Sequence, residues 1–244
     1  MIRRPPRSTQ GVSSAASDVY KRQKRNKAKI IEYNKVKKAE IIDNEWVISL
    51  QKGKKIKSKI LINASGPWIN ETLKKNIKIK SKNKIRLVKG SHIITKKLYK
   101  KDVAFTFQNT DKRIIFVIPY KKNFSLIGTT EVEVKSPENK EISKKEIQYL
   151  IRSVNNYLEK EISTKDIVDP YSGIRPLIED FNQASKVTRD YIFDLNIIKK
   201  LPLLSIYGGK LTTYRKLAEN VLLDLEKFLP KTKMGPWTHK KNLF

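Results

Sequence analysis

The sequence predicts a mixed fold, with α/β and α+β parts, in which a large antiparallel sheet is the main feature. Short segments rich in β-branched and aromatic residues, separated by turn-like sequences, dominate residues 85–134, and such segments favour antiparallel strands. Amphipathic helical patterns occupy residues 143–158 and 217–229. At 244 residues and 39% hydrophobic content, the chain has room for one large domain or parts of two.

The first predicted elements form a hairpin. Trp46–Leu50 and Ile56–Ile62 have strand-like composition, and the Gly-containing segment Lys52–Lys54 is a suitable connection between them. The second strand leads into Asn63–Trp68, where small residues are followed by Pro and Trp. By itself such a run predicts only a turn.

Four strands and a helix follow. The strands have turn-like separators that suit an antiparallel sheet, and their predicted bounds are Leu87–Thr95, Val103–Gln108, Arg113–Pro119 and Phe124–Val134. A capping box at Ser143–Glu146 then predicts the start of a helix. The apolar residues on one face of this helix are Ile147, Leu150, Ile151, Val154 and Leu158. We expect this helix to serve packing.

The C-terminal third returns to strands and a helix. Strands are predicted at Ile167–Pro176 and Lys186–Asp194, and an apolar strand near Leu203 leads into the Gly208–Gly209 turn. The spacing of five leucines and valines predicts a final amphipathic helix: Leu217, Val221, Leu222, Leu225 and Leu229. The Gly-Gly turn is either a tight connection only or a site where N–H groups at the positive end of the helix dipole face an anionic ligand.

Composition and charge exclude several function classes. Lys and Arg outnumber Asp and Glu by 53 to 24, a net charge of +29, which ordinarily favours a nucleic-acid or membrane partner. The lysines are scattered as codon bias in an AT-rich genome would scatter them, and no nucleic-acid-binding motif accompanies them, so we expect no nucleic-acid partner. An anionic membrane surface remains a suitable partner. With no Cys and only His92 and His239, the sequence predicts neither disulfides nor a metal site.

The first 23 residues differ in composition from the rest. Residues 1–23 are rich in Arg, Pro and Ser, whereas Lys dominates the basic residues that follow. A transit peptide is one alternative, and a signal peptide is disfavoured because no apolar stretch is present. We interpret the segment as translated adapter sequence, which is non-native and has no stable packing.

Motifs spread along residues 39–237 carry more information than any single turn. They are Asn63–Trp68, Arg86–Ile93, Asp111–Tyr120, Phe124–Glu131, Tyr171–Leu177, Thr188–Tyr191 and Leu203–Glu219. In this order they resemble the FAD-dependent, respiratory glycerol-3-phosphate dehydrogenases, which belong to the D-amino-acid-oxidase-like flavoproteins. A chance match would not recur in the same order along the chain.

The resemblance implies a function. It implies an enzyme that oxidises sn-glycerol 3-phosphate to dihydroxyacetone phosphate, with FAD as cofactor and membrane quinone as electron acceptor. It further implies a bacterial, cytoplasmic enzyme of glycerol metabolism that lies peripherally on the inner face of the cell membrane, and it leaves a homodimer open. Another FAD-dependent oxidase of the superfamily, which would act on an amino acid and use oxygen, is the alternative. A basic nucleic-acid-binding protein is a more distant one.

The resemblance also implies a domain organisation. Residues 24–84 would be the remnant of a Rossmann-like FAD-binding domain, residues 85–204 an antiparallel-sheet substrate domain, and residues 205–244 a return to the FAD-binding domain with a truncated C-terminal helix. No G-x-G-x-x-G motif occurs in the chain, although the family opens with one that receives the FAD pyrophosphate. We therefore expect a fragment that lacks both ends and is inactive by itself.

By resemblance, two segments contact the flavin. The cofactor-binding candidates are Gly66, Pro67, Trp68, Gly208, Gly209, Lys210, Leu211 and Thr212. Lys210 directly follows the Gly-Gly turn, where a cation would stabilise negative charge on the reduced flavin and on the developing alkoxide.

The substrate would need a cation for its phosphate. Arg175 is the strongest candidate, because a guanidinium in a strand predicted to be buried needs charge compensation. By resemblance, Arg175 and Lys210 both have substrate and catalytic roles. Arg189 and Asn109 are further substrate-binding candidates, although Asp190 beside Arg189 fits a plain ion pair as well.

A proton acceptor for the substrate hydroxyl is the remaining requirement. His92 is the candidate, because histidine titrates near neutrality, and a hydrogen-bonded structural histidine is the alternative. Thr129, Thr130 and Glu131 are also candidates to approach the site, although Thr is common in strands and Glu131 can pair with a surrounding Lys.

Overall fold

The structure is a computed structural model that describes residues 21–178, 191–231 and Thr238. The described chain forms two compact units, one comprising residues 87–175 and the other residues up to 86 together with those from 176 onwards. The predicted divisions were 84/85 and 204/205. The second observed division comes earlier than the predicted one. Strand Leu201–Gly208 pairs with Leu61–Asn63 and with Tyr191–Ile198, so both of the strands that follow residue 190 belong to the unit that contains residue 86.

The predicted non-native segment 1–23 falls mostly outside the described residues. Of this segment the structure describes only residues 21–23, which belong to a helical turn over residues 21–25. In this turn the N–H of Asn26 donates to the carbonyl of Arg22 at 3.0 Å.

Three strands form an antiparallel meander in the unit that contains residue 86. They are β1 (Val36–Ile42), β2 (Glu45–Leu50) and β3 (Lys55–Ser58), in the order β1-β2-β3. The pairing of β2 with β3 confirms the predicted hairpin. Strand β1 was not predicted, because lysines interrupt its apolar positions. Trp46 anchors the meander: its side chain is buried, and its Nε1 donates to the carbonyl of Pro202 at 3.1 Å.

The prediction of one strand over Ile56–Ile62 is wrong. Strand β3 ends at Ser58, and a separate strand, β4 (Leu61–Asn63), follows. The hydroxyl of Ser58 donates to the carbonyl of Ile60 at 2.7 Å and accepts from its N–H at 3.3 Å. This local turn interrupts the strand, so that the two halves join different sheets.

Strand β4 belongs to a second three-stranded sheet. It pairs in parallel with β12 (Leu201–Gly208), which pairs antiparallel with β11 (Tyr191–Ile198). The predicted strand Lys186–Asp194 therefore extends further, to Ile198, while residues 186–190 lie outside the described residues. Leu203 and Leu204 of β12 are fully buried, which accounts for the apolar sequence of this strand.

A helical segment follows β4 directly. It consists of a 3₁₀ turn (Gly66–Trp68), helix α1 (Ile69–Glu71) and a π-helical stretch (Thr72–Ile77). Its apolar residues pack under the meander with Trp46 and Leu203. The sequence predicted a turn at Asn63–Trp68 and no element over residues 69–77. The buried residues of that stretch, Ile69, Leu73 and Ile77, are four residues apart and share one helical face.

The predicted C-terminal helix is present but shorter. The helix, α3 (Tyr214–Asp224), is the third along the described part of the chain. A 3₁₀ turn (Leu211–Thr213) precedes it, and another (Glu226–Phe228) follows it. The predicted apolar residues Leu217, Val221, Leu225 and Leu229 pack against Leu204. Leu222 is a correction: its side chain is 56% exposed, since one helical step turns it about 100° away from Val221.

The other unit is built on a six-stranded antiparallel sheet. Its strands are β5 (Ile85–Lys96), β6 (Phe105–Gln108), β7 (Ile114–Tyr120), β8 (Phe124–Gly128), β9 (Val132–Val134) and β10 (Ile167–Ile178). Their order is β10-β5-β8-β7-β6, and β9 pairs with another part of β5. The sheet confirms the predicted antiparallel region and the predicted fold class.

The prediction of one strand over Phe124–Val134 is wrong in one respect. The chain leaves the sheet between Gly128 and Val132 and then returns to β5 in a different register. Thr130 lies in this break, where its N–H donates to the carbonyl of Ser91 at 3.2 Å. The composition of residues 124–134 suits a continuous strand, so only the tertiary contacts reveal the break.

Helix α2 (Lys144–Asn155) covers one face of this sheet, and its predicted capping box is confirmed. Ser143 Oγ accepts from the N–H of Glu146, and the Glu146 side chain accepts from the N–H of Ser143. A second capping box, made by Ser163 and Asp166, begins a 3₁₀ turn (Thr164–Asp166). The core between α2 and the sheet contains Ile93, Ile115, Val117, Ile127, Leu150, Val154 and Ile162. Within the described residues, no helix has the length and apolar composition needed to cross a membrane.

Candidate functional site

The sheet carrying β5 has two chemically different faces. Directly opposed residues of antiparallel strands share a face, and His92 is opposite Gly128, which is itself opposite Phe116. The neighbouring residues Ile93 and Ile127 point to the other face, into the core under α2. We call the face that carries His92 the open face, because Phe116 is 42% exposed on it.

Arg175 of β10 lies on the open face. A Cβ built at Gly90 would be 2.6 Å from Nη2 of Arg175 and 2.7 Å from the guanidinium carbon. Only a residue without a side chain therefore lets the guanidinium pack against β5. Nη2 also donates to Oγ1 of Thr129 at 3.3 Å. The structure thus confirms that the Arg175 motif lies in a strand and shows which backbone the guanidinium contacts.

His92 lies beside Arg175. Its ring stacks on Tyr171, with centroids 4.9 Å apart and planes 7° apart, and a Cβ at Gly128 would collide with the imidazole. Burial, and then the charge of Arg175, lower the pKa of His92 from 6.5 to about 4. The ring is therefore neutral near pH 7. Among the described residues, its buried Nδ1 has no hydrogen-bond partner.

Thr129 and Thr130 form a chain of hydrogen bonds from Arg175 to Glu146. Oγ1 of Thr129 accepts from Arg175 and donates to the carbonyl of Thr130 at 3.1 Å. Thr130 is buried, and its hydroxyl donates to Glu146 at 2.9 Å. We call Gly90, His92, Thr129, Tyr171 and Arg175 the arginine cluster. Burial raises the pKa of Tyr171, and the nearby Tyr120 raises it further.

Asn109 occupies a different position. It follows Gln108 at the end of β6, and strand alternation places it on the side of Phe107, which packs under α2. Its side chain is 9% exposed, and neither amide atom has a hydrogen-bond partner among the described residues. The structure therefore does not bring Asn109 together with Arg175, and a substrate role for it stays a prediction.

The two predicted flavin segments come together at one edge of the other unit. Strands β4 and β12 are parallel, with Asn63 opposite Ser205, so both chains leave the sheet at the same edge. The glycines that follow, Gly66 and Gly208, have φ values of +58° and +75°. In open α/β sheets, ligands bind outside the carboxyl ends of parallel strands, which is where this edge lies.

Asn63 fixes the turn that follows β4. Its Nδ2 donates to the carbonyl of Ile69 at 3.1 Å, and its Oδ1 accepts from the hydroxyl of Ser65 at 2.7 Å. Ser65 Oγ also donates to Thr72 Oγ1 at 3.0 Å. These bonds hold the Gly66–Trp68 turn against β12, so Asn63 has a structural role beside the predicted flavin contacts.

The Gly208–Gly209 turn opens the helical segment after β12. Gly209 has φ +100°, and a Cβ there would be 3.2 Å from Leu217 Cδ1. Lys210 is exposed. Within the described residues, no side chain caps α3 at Thr213, and its first turn holds no acidic residue. The backbone donors and positive dipole of this segment fit a group that presents hydrogen-bond acceptors.

Each unit therefore brings together one set of predicted residues. Arg175 and His92 lie side by side in the unit of residues 87–175, and in the other unit the Gly66–Trp68 turn contacts β12, which ends at Gly208. Arg189 lies outside the described residues. No group of His, Asp and Glu that could hold a metal occurs among the residues described.

Some members of the arginine cluster were missed by sequence reasoning. Gly90 and Tyr171 lie in the quoted motifs but were not selected as site residues. The signal that could have found them is that they share the motifs Lys89–His92 and Tyr171–Arg175 with the selected residues His92 and Arg175. The stacking of Tyr171 on His92 depends on the pairing of β10 with β5, which no local pattern reveals.

Sequence comparison identifies similar proteins. A family model described as FAD dependent oxidoreductase matches residues 14–215 and thus begins inside segment 1–23. The chain is 43% identical to the glycerol-3-phosphate dehydrogenase of Pseudomonas aeruginosa over 192 residues, 77% of this chain and 37% of that protein. It is 43% identical to the aerobic glycerol-3-phosphate dehydrogenase of Escherichia coli over 208 residues, 81% of this chain and 41% of that protein. It is also 40% identical to the D-erythritol 1-phosphate dehydrogenase of Brucella abortus over 185 residues, 75% of this chain and 37% of that protein.

Structure comparison agrees with the sequence comparison. The glycerol-3-phosphate dehydrogenase of Bacillus halodurans complexed with FAD matches with a TM-score of 0.65 and 25% identity, over 81% of this chain and 39% of that one. An L-alpha-glycerophosphate oxidase of Mycoplasma pneumoniae with FAD bound shares the fold, with a TM-score of 0.63 and 15% identity over 87% of this chain and 55% of that one. The chain spans about two fifths of the length of the sequence relatives it matches.

Proposed function

Since the chain belongs to the family of FAD-dependent oxidoreductases, we propose that it supplies the substrate-binding sheet and one side of the flavin site of a glycerol-3-phosphate dehydrogenase. The proposed reaction converts sn-glycerol 3-phosphate to dihydroxyacetone phosphate. The single observation that carries the proposal is the arginine cluster, in which a guanidinium and a neutral imidazole lie side by side on the open face.

Arg175 is proposed to bind the substrate phosphate. A guanidinium offers a planar pair of donors that matches two phosphate oxygens. The hydroxyl of Thr129 accepts a hydrogen bond from Nη2 and helps to orient the guanidinium. A phosphate dianion carries the charge that a guanidinium attracts and binds through charge-assisted hydrogen bonds.

His92 is proposed to accept the proton of the substrate hydroxyl. Because Arg175 contributes to the low pKa of His92, neutralising that arginine with a phosphate should raise the pKa of the imidazole. The bound substrate would thus make His92 a stronger base for the proton of the substrate hydroxyl. The stacking on Tyr171 fixes the plane of the ring, so that the nitrogen that accepts the proton has a defined direction.

The flavin is proposed to lie at the edge formed by β4 and β12. When bound there, FAD supplies the acceptor for the hydride that leaves the substrate carbon. The backbone N–H groups of Gly66 and Gly208–Thr212 would hold it, since the glycines leave no side chain in the way. Pro67 and Trp68 would contact it with their side chains, because Pro67 has no N–H and that of Trp68 donates to the carbonyl of Ser65 at 3.2 Å. Lys210 is proposed to stabilise negative charge that develops during the reaction.

The electron acceptor and location are part of the same proposal. We propose membrane quinone as acceptor and peripheral attachment to the inner face of a bacterial cell membrane, within glycerol metabolism. The net charge of +29 supports this location, because each cation near an anionic leaflet contributes about 1 kcal/mol. A homodimer is compatible with the proposal.

A second substrate has specific support. The 40% identical Brucella abortus protein is named a D-erythritol 1-phosphate dehydrogenase. Both substrates are polyol phosphates, so the phosphate role of Arg175 holds for either one. An amino-acid substrate would give the arginine a carboxylate to bind instead and would not require a phosphorylated ligand.

The test uses a chimera in which a relative supplies the parts of its own length that this chain does not span. The segment of the Pseudomonas aeruginosa protein that aligns with this chain is replaced by the residues of this chain, and flavin bleaching is followed without oxygen. We expect bleaching by glycerol 3-phosphate and none by glycine or D-alanine. Bleaching by an amino acid but not by the polyol phosphates would overturn the proposal.

A further inference from the structure

A buried carboxylate connects helix α2 to the arginine cluster. Glu146 is 5% exposed, and its two oxygens have separate partners. Oε2 accepts from the N–H of Ser143 at 2.9 Å and from its hydroxyl at 2.8 Å, and it lies 2.9 Å from Nζ of Lys89. Oε1 accepts from the hydroxyls of Ser91 at 2.7 Å and Thr130 at 2.9 Å.

The partners of Oε1 adjoin the arginine cluster in sequence. Ser91 lies between Gly90 and His92, and Thr130 follows Thr129. They are also bonded to each other, since the N–H of Ser91 donates to Thr130 Oγ1 at 3.0 Å and the N–H of Thr130 donates to the carbonyl of Ser91 at 3.2 Å. One carboxylate oxygen thus holds two chain segments that carry the cluster.

Helix capping does not account for this arrangement. In the second capping box, the N–H and hydroxyl of Ser163 both donate to the same oxygen of Asp166, at 2.7 Å and 2.9 Å. A cap of this kind therefore needs only one carboxylate oxygen. In Glu146 the other oxygen is buried and bound to Ser91 and Thr130, which play no part in starting the helix.

We infer that Glu146 is a positioning residue for Arg175, an inference that rests on the proposed function. Its Oε1 fixes Thr130, whose carbonyl accepts from the hydroxyl of Thr129. That hydroxyl in turn accepts from Nη2 of Arg175. The carboxylate thereby sets the position from which the guanidinium would meet a phosphate, without touching the substrate.

The charge state of Glu146 suits this role. Burial raises its pKa, but hydrogen bonds from Ser143, Ser91 and Lys89 lower it further than burial raises it, to about 2. The group is therefore an anion at neutral pH and accepts at both oxygens. A buried anion with all its acceptor positions used makes a rigid support, since a change in any partner leaves charge poorly compensated.

The test uses the pKa of His92 as a measure of the position of the neighbouring Arg175. The charge of Arg175 contributes to the low pKa of His92, so movement of the guanidinium should move that pKa. Tyr171 from β10 is the other titratable group stacked on the ring. The full chain has only two histidines, and His239→Gln as background leaves one imidazole for NMR titration. Neither substrate nor FAD is needed.

The variants separate positioning from capping. Thr130→Val keeps the shape of the side chain but removes the donor to Oε1 and the acceptor of the Ser91 N–H, and Thr130→Ser restores a hydroxyl for both. Ser143→Ala, the matched control, removes the cap of the Glu146 N–H and one donor to Oε2, and it leaves both donors to Oε1 in place. We expect Thr130→Val to raise the His92 pKa by roughly one unit, which is the size of shift that a nearby charge produces. Arg175→Gln should raise it at least as much.

The outcomes decide the inference. A raised His92 pKa in Thr130→Val and Glu146→Gln, with no rise in Thr130→Ser or Ser143→Ala, supports it. If Arg175→Gln raises the pKa and Thr130→Val does not, the network is only structural and the inference is overturned. No rise in Arg175→Gln also overturns it. A failed glycerol 3-phosphate assay would contradict the proposed function and leave this result standing.

Discussion

The guanidinium of Arg175 packs against the backbone of Gly90 so closely that a Cβ at position 90 would lie 2.6 Å from Nη2. The φ angle of Gly90 is not positive. Position 90 therefore requires glycine for a steric reason and not for a conformational one. The absence of a side chain on β5 is therefore what allows β10 to present its arginine on the open face.

Gly90→Ala is expected to displace Arg175 and weaken substrate binding. Overpacking of this kind costs about 1–3 kcal/mol, which predicts a rise in KM for glycerol 3-phosphate of roughly tenfold in the chimera. Gly173→Ala is the matched control, because a Cβ there meets nothing within 4 Å. Equal KM values for the two variants would mean that the guanidinium is not set by this contact.

His92 should make stability fall in mild acid. Its pKa is 6.5 when the chain is unfolded and about 4 when folded, so between these values the unfolded chain binds a proton that the native chain does not. The free energy of unfolding should therefore drop as pH falls from 6.5 to 4, by at most about 3 kcal/mol and by less if solvent screens the partly exposed ring.

Urea unfolding at pH 7, 5.5, 4.5 and about 3 measures this dependence. His92→Gln should flatten the loss between pH 6.5 and 4.5 and leave the further loss below pH 4.5, where Glu146 takes up a proton on unfolding because its pKa is about 2 in the native chain and 4.5 in the unfolded one. A parental slope that persists in His92→Gln would show that another group causes it.

Gly209→Ala is expected to weaken flavin retention. The position has φ +100°, and the added Cβ would lie 3.2 Å from Leu217, so the turn must shift at the proposed flavin edge. Gly53→Ala imposes similar backbone strain at φ +82° with nothing within 4 Å, at a cost of about 1–3 kcal/mol. The ratio of flavin absorbance to protein after desalting should fall in Gly209→Ala chimeras and hold in Gly53→Ala. A comparable fall in both would assign the effect to stability alone.

The 244-residue chain expressed by itself is expected to be colourless and inactive. It has no G-x-G-x-x-G motif for the pyrophosphate, and the edge between β4 and β12 supplies contacts to one side of a flavin only. The visible absorbance of oxidised flavin, measured after desalting, checks this. A stoichiometric flavin spectrum would contradict the prediction.

Local patterns predicted the elements that depend on local forces. The Gly53 hairpin follows from a turn residue between two apolar runs, and the cap of α2 follows from the spacing of Ser143 and Glu146. In both cases the deciding interaction spans only a few residues. Arg175 was selected because its strand was predicted to be buried, and this prediction is wrong: in β10 only Leu177 is buried, and Arg175 is half-buried.

Long-range contacts decided what the sequence could not predict. The local turn at Ser58 separates β3 from β4, but only the pairing of β4 with β12 shows that the two strands join different sheets. The break at Thr130 depends on Ser91 and Glu146. The open face itself appears only once β10 pairs with β5, since that pairing stacks Tyr171 on His92. The proposed role of Glu146 in positioning Arg175 could not be predicted from the sequence for the same reason.

Lys210 should differ from Arg175 in its kinetic effect. A residue that binds the substrate phosphate stabilises the ground state and the transition state alike. A cation beside the flavin stabilises mainly the transition state, in which charge develops. In the chimera, Lys210→Ala is therefore expected to lower kcat by roughly 10- to 150-fold with little change in KM. A change confined to KM would place Lys210 on the substrate phosphate instead.

The most direct test of the account is the preference of Arg175→Ala for a phosphorylated substrate. The chimera and its variant are assayed on glycerol 3-phosphate and on glycerol, and the ratio of the two kcat/KM values is compared. Loss of a charge-assisted hydrogen bond costs about 1.5–3 kcal/mol, so the ratio should fall by roughly 10- to 150-fold, mainly through KM. An unchanged ratio would contradict the account, because Arg175 would then be a structural residue and the phosphate would bind elsewhere, with Arg189 the next candidate.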